Sequence, residues 1–222
     1  MNYKNEFFSY ANKHLNISNT KLWDFESSMT PYILEERKLN VTQMDVFSRL
    51  MMERIIWCAG SVDDRMSTMV QAQLMFLETL GDNDIIMHID SPGGSVKSGL
   101  SIIDVMDYIK CDVSTINTGI AASMGAVLLG AGTKGKRASL RFSRTMLHQS
   151  SGGAVGNIQD ARIEMEEWEK VNKTLFHLLG EYCDKTPEQV MSDSQRDKWL
   201  SSEEALNYGI VDEILTKRKG GR

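Results

Sequence analysis

Four polar residues and one glycine turn in this 222-residue chain are of the types that acyl-transfer chemistry requires. Ser123 is the single hydroxyl in the small-residue run GIAASMGAVLLGAG (119–132). Ala121, Ala122 and Gly125 around it leave room for a substrate backbone, as a nucleophile at a strand-to-helix turn would need. The same composition suits a tight helix–strand contact in which serine is merely small. A second stretch, SPGGS (91–95), supplies what a nucleophile lacks. Pro92 stiffens the turn, while Gly93 and Gly94 let the backbone present its N–H groups outward, and such a nest before a helix favours negative charge. Its plainer reading is a glycine turn. With no GxxxxGK[ST] and no GxGxxG in the chain, a phosphate cradle has little support.

A serine hydroxyl needs a base. His148 closes the run TMLH ahead of the glycine-rich SSGGAVGN (150–157), at the mouth of a loop suited to shaping a groove. His88 is the rival, but alternation along its strand turns it away from the SPGG turn, and His14 and His177 fall on expected helices. The base needs an orienting acid. MSDSQRDKWL (191–200) contains both Asp193 and Asp197, and pattern alone does not choose between them.

The elements that must position these groups follow from hydrophobic period. RIIWCAG (54–60), DIIMHID (84–90) and DVSTINTG (112–119) are compact runs expected as strands. Between the first two, 64–80 repeats apolar residues at Met66, Met69, Val70, Leu74 and Leu77, and 96–110 does so at Val96, Leu100, Ile103, Met106 and Ile109, both near the helical period. The run 119–132 is expected as a further helix. The resulting βαβαβα order predicts a mostly parallel sheet with helices packed over it. In such a sheet the SPGG and Ser123 turns share the carboxyl edge, on adjacent strands, so the Gly-Gly amides stand beside the Ser123 hydroxyl. That pairs an oxygen nucleophile with preorganised donors. Farther on, 138–149 reads as short strands and 158–183 as a long helix with Ile163, Trp168, Val171, Leu175 and Leu178 along one side. Thr186-Pro187 starts another helix, and Ser201 to Glu204 offers a capping box with Gly209 as a stop. Residues 1–28 read as an appended arm and 217–222 as a basic tail.

Composition narrows the function classes. Hydrophobic content of 41% and charged content of 25% are ordinary for a soluble globular chain. A net charge of −5 with no basic stripe argues against a nucleic-acid footprint. No run approaches the ~20 apolar residues of a membrane span, and the first residues lack a secretory core. Three scattered cysteines without a CxxC pair suit a reduced, cytoplasmic protein, and the four histidines show no metal-ligand spacing, so neither metal nor cofactor is expected.

Taken together, GIAASMGAVLLGAGTKGKR, IDSPGGSVKSG, MLHQSSGG and SDSQRDKWLSSEEALNYGIVDEIL resemble the proteolytic subunit of the Clp protease. EERKLNVTQMDVFSRLMMERIIW resembles the start of that subunit, so the likeness runs from about residue 30 to 216. The resemblance implies a crotonase-like α/β fold with a projecting long helix, and a serine peptidase acting on unfolded polypeptides. It implies two stacked seven-membered rings enclosing the active sites, fed by a Clp-type AAA+ unfoldase. Carried over by motif, Ser123 is the nucleophile, His148 the general base and Asp197 the orienting acid, with the amides of Gly94 and Met124 as oxyanion hole. The helix 158–183 becomes the handle that pairs the rings, and Ile86, His88 and Tyr108 fall on the unfoldase docking surface. The chain departs from the family at Ser150, where proline usually follows HQ, at Arg141-Phe142, where Pro–Asn is usual, and at Ile86 and His88, where aromatic rings are usual. Two other readings share these features: a catalytically silent subunit of a mixed ring, and an acyl-CoA enzyme of the crotonase type. The Ser123/His148 pair speaks for the peptidase.

Overall fold

The computed structural model describes residues 32–37, 40–150 and 157–217, and the chain divides into two compact units, 1–50 and 51–222. The expected arm (1–28), the glycine-rich residues 151–156 and most of the basic tail lie outside the described residues. In the first unit, β1 (Tyr32–Arg37) and β2 (Asn40–Asp45) form an antiparallel hairpin in which Tyr32 opposes Asp45. The Asp45 carboxylate accepts from the Ser48 amide (3.0 Å) and so caps α1 (Val46–Met52).

The second unit is built on β3 (Ile55–Ala59), β4 (Ile85–Ser91) and β5 (Val113–Ala122), joined through α2 (Asp64–Thr79) and α3 (Val96–Tyr108). All three strands are parallel, as two βαβ crossovers require. Side chains of Asp63 and Ser95 cap the two helices by accepting from Met66 and Ser98 amides. The sheet then forks. The first half of β5 pairs with β6 (Arg137–Leu140) and its last three residues pair with β7 (Arg144–Leu147). Beyond β7 lies β8 (Lys198–Ser201), antiparallel to it, and beyond β6 lies β9 (Glu213–Leu215). The helices α4 (Met124–Gly130), α5 (Ile158–Cys183), α6 (Pro187–Asp193) and α7 (Ser202–Tyr208) complete the unit. The capping box at Ser201/Glu204 and the left-handed Gly209 stop form as the sequence indicates.

Two expectations need correction. Residues 119–122 extend β5 instead of starting a helix, and α4 begins only at Met124. Met69, expected on the buried side of α2, is 53% exposed; Val70, Leu74 and Leu77 carry that helix's burial. Ile85, Met87 and Ile89 of β4 are fully buried against α2, α3 and α4 core residues, while Ile86 and His88 between them face the less covered side of the sheet. In α5 the burial is confined to the last turns, at Leu175, Phe176, Leu179 and Cys183. Its first half leaves Ile158, Ile163 and Met165 60–77% exposed.

One buried cation ties the back of the fold together. Arg137, 1% exposed, donates to both oxygens of Asp212 (2.6 and 2.9 Å) and to the carbonyls of Tyr182 (2.7 Å) and Gly209 (3.0 Å). It thereby joins the ends of α5 and α7 to β6. Burial pushes the Asp212 carboxyl up, but the bonds from Arg137 outweigh this and hold it below the ordinary carboxylate range. Because the folded value is depressed, this contribution is present above the unfolded carboxylate value and is lost as pH falls through the folded one. Arg137→Met strands Asp212 and the carbonyls, and is expected to lower unfolding stability by about 3–5 kcal/mol. Urea melts of parent and variant at pH 7 and below pH 4 measure this, and the gap between them should narrow at the acid end.

Candidate active site

Ser123 stands at the hinge between β5 and α4 with φ 54° and ψ −123°. These are the angles of the first central residue of a type II′ turn, a place glycine prefers. A side chain held there is strained and thrust clear of both flanking elements. The backbone is pinned in place by the bond from Ser123 N–H to Met146 O (2.9 Å) and by the carbonyl of Ser123, which accepts from Ala126 and Val127. The side chain caps no helix. Its Oγ lies 2.8 Å from Nε2 of His148.

His148 follows the last residue of β7. Since that strand pairs in parallel with the end of β5, with Ala122 opposite Met146, both polar residues emerge at the same edge of the sheet. A carboxylate stands on the far side of β7. Leu147 opposes Lys198 in the antiparallel β7–β8 pairing, so the register carried one step further sets Asp197 opposite His148. Asp197 Oδ1 lies 3.4 Å from His148 Nδ1, with side-chain exposures of 63% and 26%. That distance is long for a hydrogen bond, as is common before substrate tightens such contacts. Asp193 is engaged elsewhere: it accepts from the Tyr208 hydroxyl and pairs with Lys198, both at 3.1 Å. Burial pushes its carboxyl up, but the Lys198 and Tyr208 bonds outweigh that and hold it low.

The SPGG turn closes against Ser123. A methyl group on Gly93 would lie 2.6 Å from Ala122 O and 2.7 Å from Ser123 Cβ, and one on Gly94 would lie 2.3 Å from Val62 O. Both glycines have positive φ, 92° and 151°, so neither a side chain nor another backbone path fits. The neighbouring amides are spent: Gly93 donates to Ser91 Oγ (3.1 Å) and Ser95 to Val62 O (2.7 Å). The amide of Gly94, between them, has no acceptor among the described residues. Met124 is the first residue of α4, so its N–H has no intrahelical acceptor. Gly94, Ser123 and His148 line one cavity of about 840 Å³, whose walls include Val96 and Leu100 of α3 and Trp168 and Val171 of α5. Its size is that of a site for an extended side chain or small ligand.

The remaining sequence candidates lie apart from this cavity. His88 stacks on Trp57 (ring centroids 4.7 Å apart), Ile86 is two residues away on the same strand, and Tyr108 at the end of α3 is 76% exposed. His177 is exposed on α5, and His14 lies outside the described residues. No group of three or more His, Cys, Asp or Glu among the described residues could hold a metal ion. Two contributors escaped the sequence reading. Ser91 and Asp90 organise the turn and the end of β5: Ser91 takes the Gly93 amide, and Asp90 Oδ1 accepts from Ile120 N–H (2.9 Å). Ser91 opens SPGG and Asp90 precedes it, but neither is singled out for a role by the sequence.

Residues 37–218 match the family model described as Clp protease. The chain belongs to the Clp protease family. It is 48% identical over 220 residues to the ATP-dependent Clp protease proteolytic subunit of Porphyromonas gingivalis, covering 97% of this chain and 99% of that one. The corresponding subunit of Bacteroides fragilis is 47% identical over 218 residues, and that of Bacteroides thetaiotaomicron 48% over 218, each alignment covering 96% of this chain and 99% of the relative. The forked parallel sheet with its projecting α5 is the α/β architecture of the Clp protease family, and the chain is a peptidase subunit of the ATP-dependent Clp type.

Proposed function

We propose that Ser123, His148 and Asp197 act as a catalytic triad, with the amides of Gly94 and Met124 as oxyanion hole. The observation that carries this is the 2.8 Å contact between Ser123 Oγ and His148 Nε2 at a strained turn packed against SPGG. An extended polypeptide lies in the cavity with its scissile carbonyl carbon against Ser123 Oγ. His148 takes the serine proton as the hydroxyl adds to that carbon, and the two amides hold the resulting oxyanion. His148 then gives the proton to the leaving amine, and an acyl ester on Ser123 remains. Water, deprotonated by the same ring, hydrolyses it. Asp197 keeps the Nδ1 proton in place so that Nε2 faces the serine. Gly94 and Met124 need no reorganisation for their part, because their donors are already unspent. A serine-directed fluorophosphonate that labels the parent protein and fails on Ser123→Ala tests the reading. Absence of labelling on the parent would favour a silent subunit.

Two stacked seven-membered rings accommodate the rest of the chain. The first half of α5 exposes Ile158, Ile163 and Met165, whereas the last turns bury Leu175, Phe176, Leu179 and Cys183, and a facing copy would cover the exposed residues. Sedimentation of the intact protein decides it: a stable monomer or dimer at every salt concentration overturns the ring assignment. A reduced cytoplasmic setting fits the buried, free Cys58, Cys111 and Cys183, and no described helix is long and apolar enough to cross a membrane. The residues 1–28 are assigned as an arm or propeptide, and 29–216 as the proteolytic domain.

A Clp-type unfoldase docks, in this reading, on the open side of the sheet at Ile86, His88 and Tyr108. Among the described residues the buried Nδ1 atom of His88 has no hydrogen-bond partner, and burial pushes the imidazole below its ordinary value. An apolar anchor seated there would require the neutral ring, since charging it means desolvating a cation. With the pKa depressed, docking should be constant above the ordinary histidine value of ~6.5 and weaken progressively as pH falls below it. His88→Tyr should flatten this dependence. Unfoldase affinity measured from pH 5.5 to 8, with assembly followed at each point, checks it; superimposable profiles would remove His88 from the docking surface.

A further inference from the structure

His148 lies one residue beyond β7, where the ladder that fixes its strand has ended. Its mostly covered ring has a 3.4 Å contact to an exposed carboxylate on one side and the serine on the other. Two bonds hold the chain just past it. The Gln149 amide donates to Ser194 O at the end of α6 (3.0 Å), and the Ser150 hydroxyl donates to Oδ1 of Asn172 on α5 (2.5 Å). Ser150 lines the same cavity as Ser123 and His148. Asn172 follows Val171, which with Trp168 walls that cavity, and precedes the turn where α5 becomes buried at Leu175. Ser150 and Asn172 are both half-buried, so water competes for the bond only in part. One side-chain bond therefore joins the segment carrying the base to the helix that forms the opposite wall of the cavity.

We propose that Ser150 and Asn172 form a latch that positions His148 relative to Ser123 by clamping the chain after β7 onto α5. Neither residue reaches the reacting atoms; both are positioning residues. The proposal rests on the triad reading above. A net side-chain hydrogen bond is modest in stability, but a small displacement of a catalytic group weighs heavily on rate, since about 1 Å can cost 10²-fold. Loss of the latch should therefore show in turnover before it shows in folding or in substrate binding.

The test compares the full-length parent with Ser150→Ala, Ser150→Thr, Asn172→Ala and the Ser150→Ala/Asn172→Ala double variant. Short-peptide hydrolysis supplies kcat and KM, the rate of fluorophosphonate labelling at Ser123 reports the serine–base pair directly, and sedimentation selects the folded, assembled fraction. Each alanine variant should lose roughly tenfold in kcat and in labelling rate, with KM little changed. The double variant should be no worse than either single one, because the two changes remove one shared bond. Ser150→Thr, which keeps the hydroxyl, should stay near the parent. Parent-level turnover in Ser150→Ala, an effect confined to KM, additive losses in the double variant, or equal losses in the Thr and Ala variants would each overturn the latch. A parent that is not labelled at Ser123 would instead overturn the triad reading, and the latch with it.

Discussion

Replacing Ser123 by alanine is expected to lower peptide turnover by on the order of 10⁶, the scale on which removal of a serine nucleophile acts. The large figure follows from the proposed role, in which the hydroxyl supplies the bond that forms and its loss leaves His148 with no oxygen to activate. Alanine differs by one oxygen atom, and among the described residues the Ser123 side chain bonds only to His148. Packing around the turn should persist, as should assembly. The measurement is hydrolysis of a short fluorogenic peptide by purified parent and variant at matched particle concentration. Residual turnover within tenfold of the parent would show that another group attacks the carbonyl.

Asp197→Ala is expected to cost about 10⁴ in turnover, and Asp193→Ala far less. Both carboxylates lie in one ten-residue segment, so the comparison isolates position from charge. Asp197 faces the free nitrogen of His148 across the β7–β8 pairing, whereas Asp193 is held by Tyr208 and Lys198. The first change leaves the ring without an acceptor for Nδ1–H, and the wrong tautomer then turns its proton toward Ser123. The second removes a clasp on α7 and should register in thermal stability. Peptide turnover of the two variants with melting curves alongside separates the outcomes; a greater kinetic loss at Asp193 would transfer the orienting role to it.

The layout of the core was legible because its signals are periodic. The alternation in DIIMHID and the helical spacing in 64–80 and 96–110 place β4, α2 and α3 nearly to the residue. From that, the juxtaposition of SPGG and Ser123 followed by topology alone. The boundary at Ser123 was not legible. Ala and Gly dominate both sides of it, so composition cannot separate strand from helix, and the switch is set by bonds that the Ser123 and Ile120 amides donate to the Met146 carbonyl and the Asp90 carboxylate, far away in sequence. The choice between Asp193 and Asp197 was hidden for a related reason. It depends on which strand β8 pairs with and in what register, and no local pattern encodes that. The Ser150–Asn172 bond joins residues 22 apart, and no local pattern pairs a serine after β7 with an asparagine in the middle of α5.

With Ser123 in its proposed role as nucleophile, its backbone angles set stability against activity within a single residue. An L-amino acid at φ 54°, ψ −123° carries strain on the order of 1–3 kcal/mol that glycine escapes. Glycine would also loosen the unfolded chain, by ~1 kcal/mol at most, which leaves the balance in its favour. A Ser123→Gly protein should therefore be inert and yet harder to unfold than the working enzyme. Random mutagenesis screened only for thermal resistance would be drawn toward that dead variant. The strain at this one position is thus a quantity that selection for activity must continually maintain against drift toward a sturdier, idle subunit.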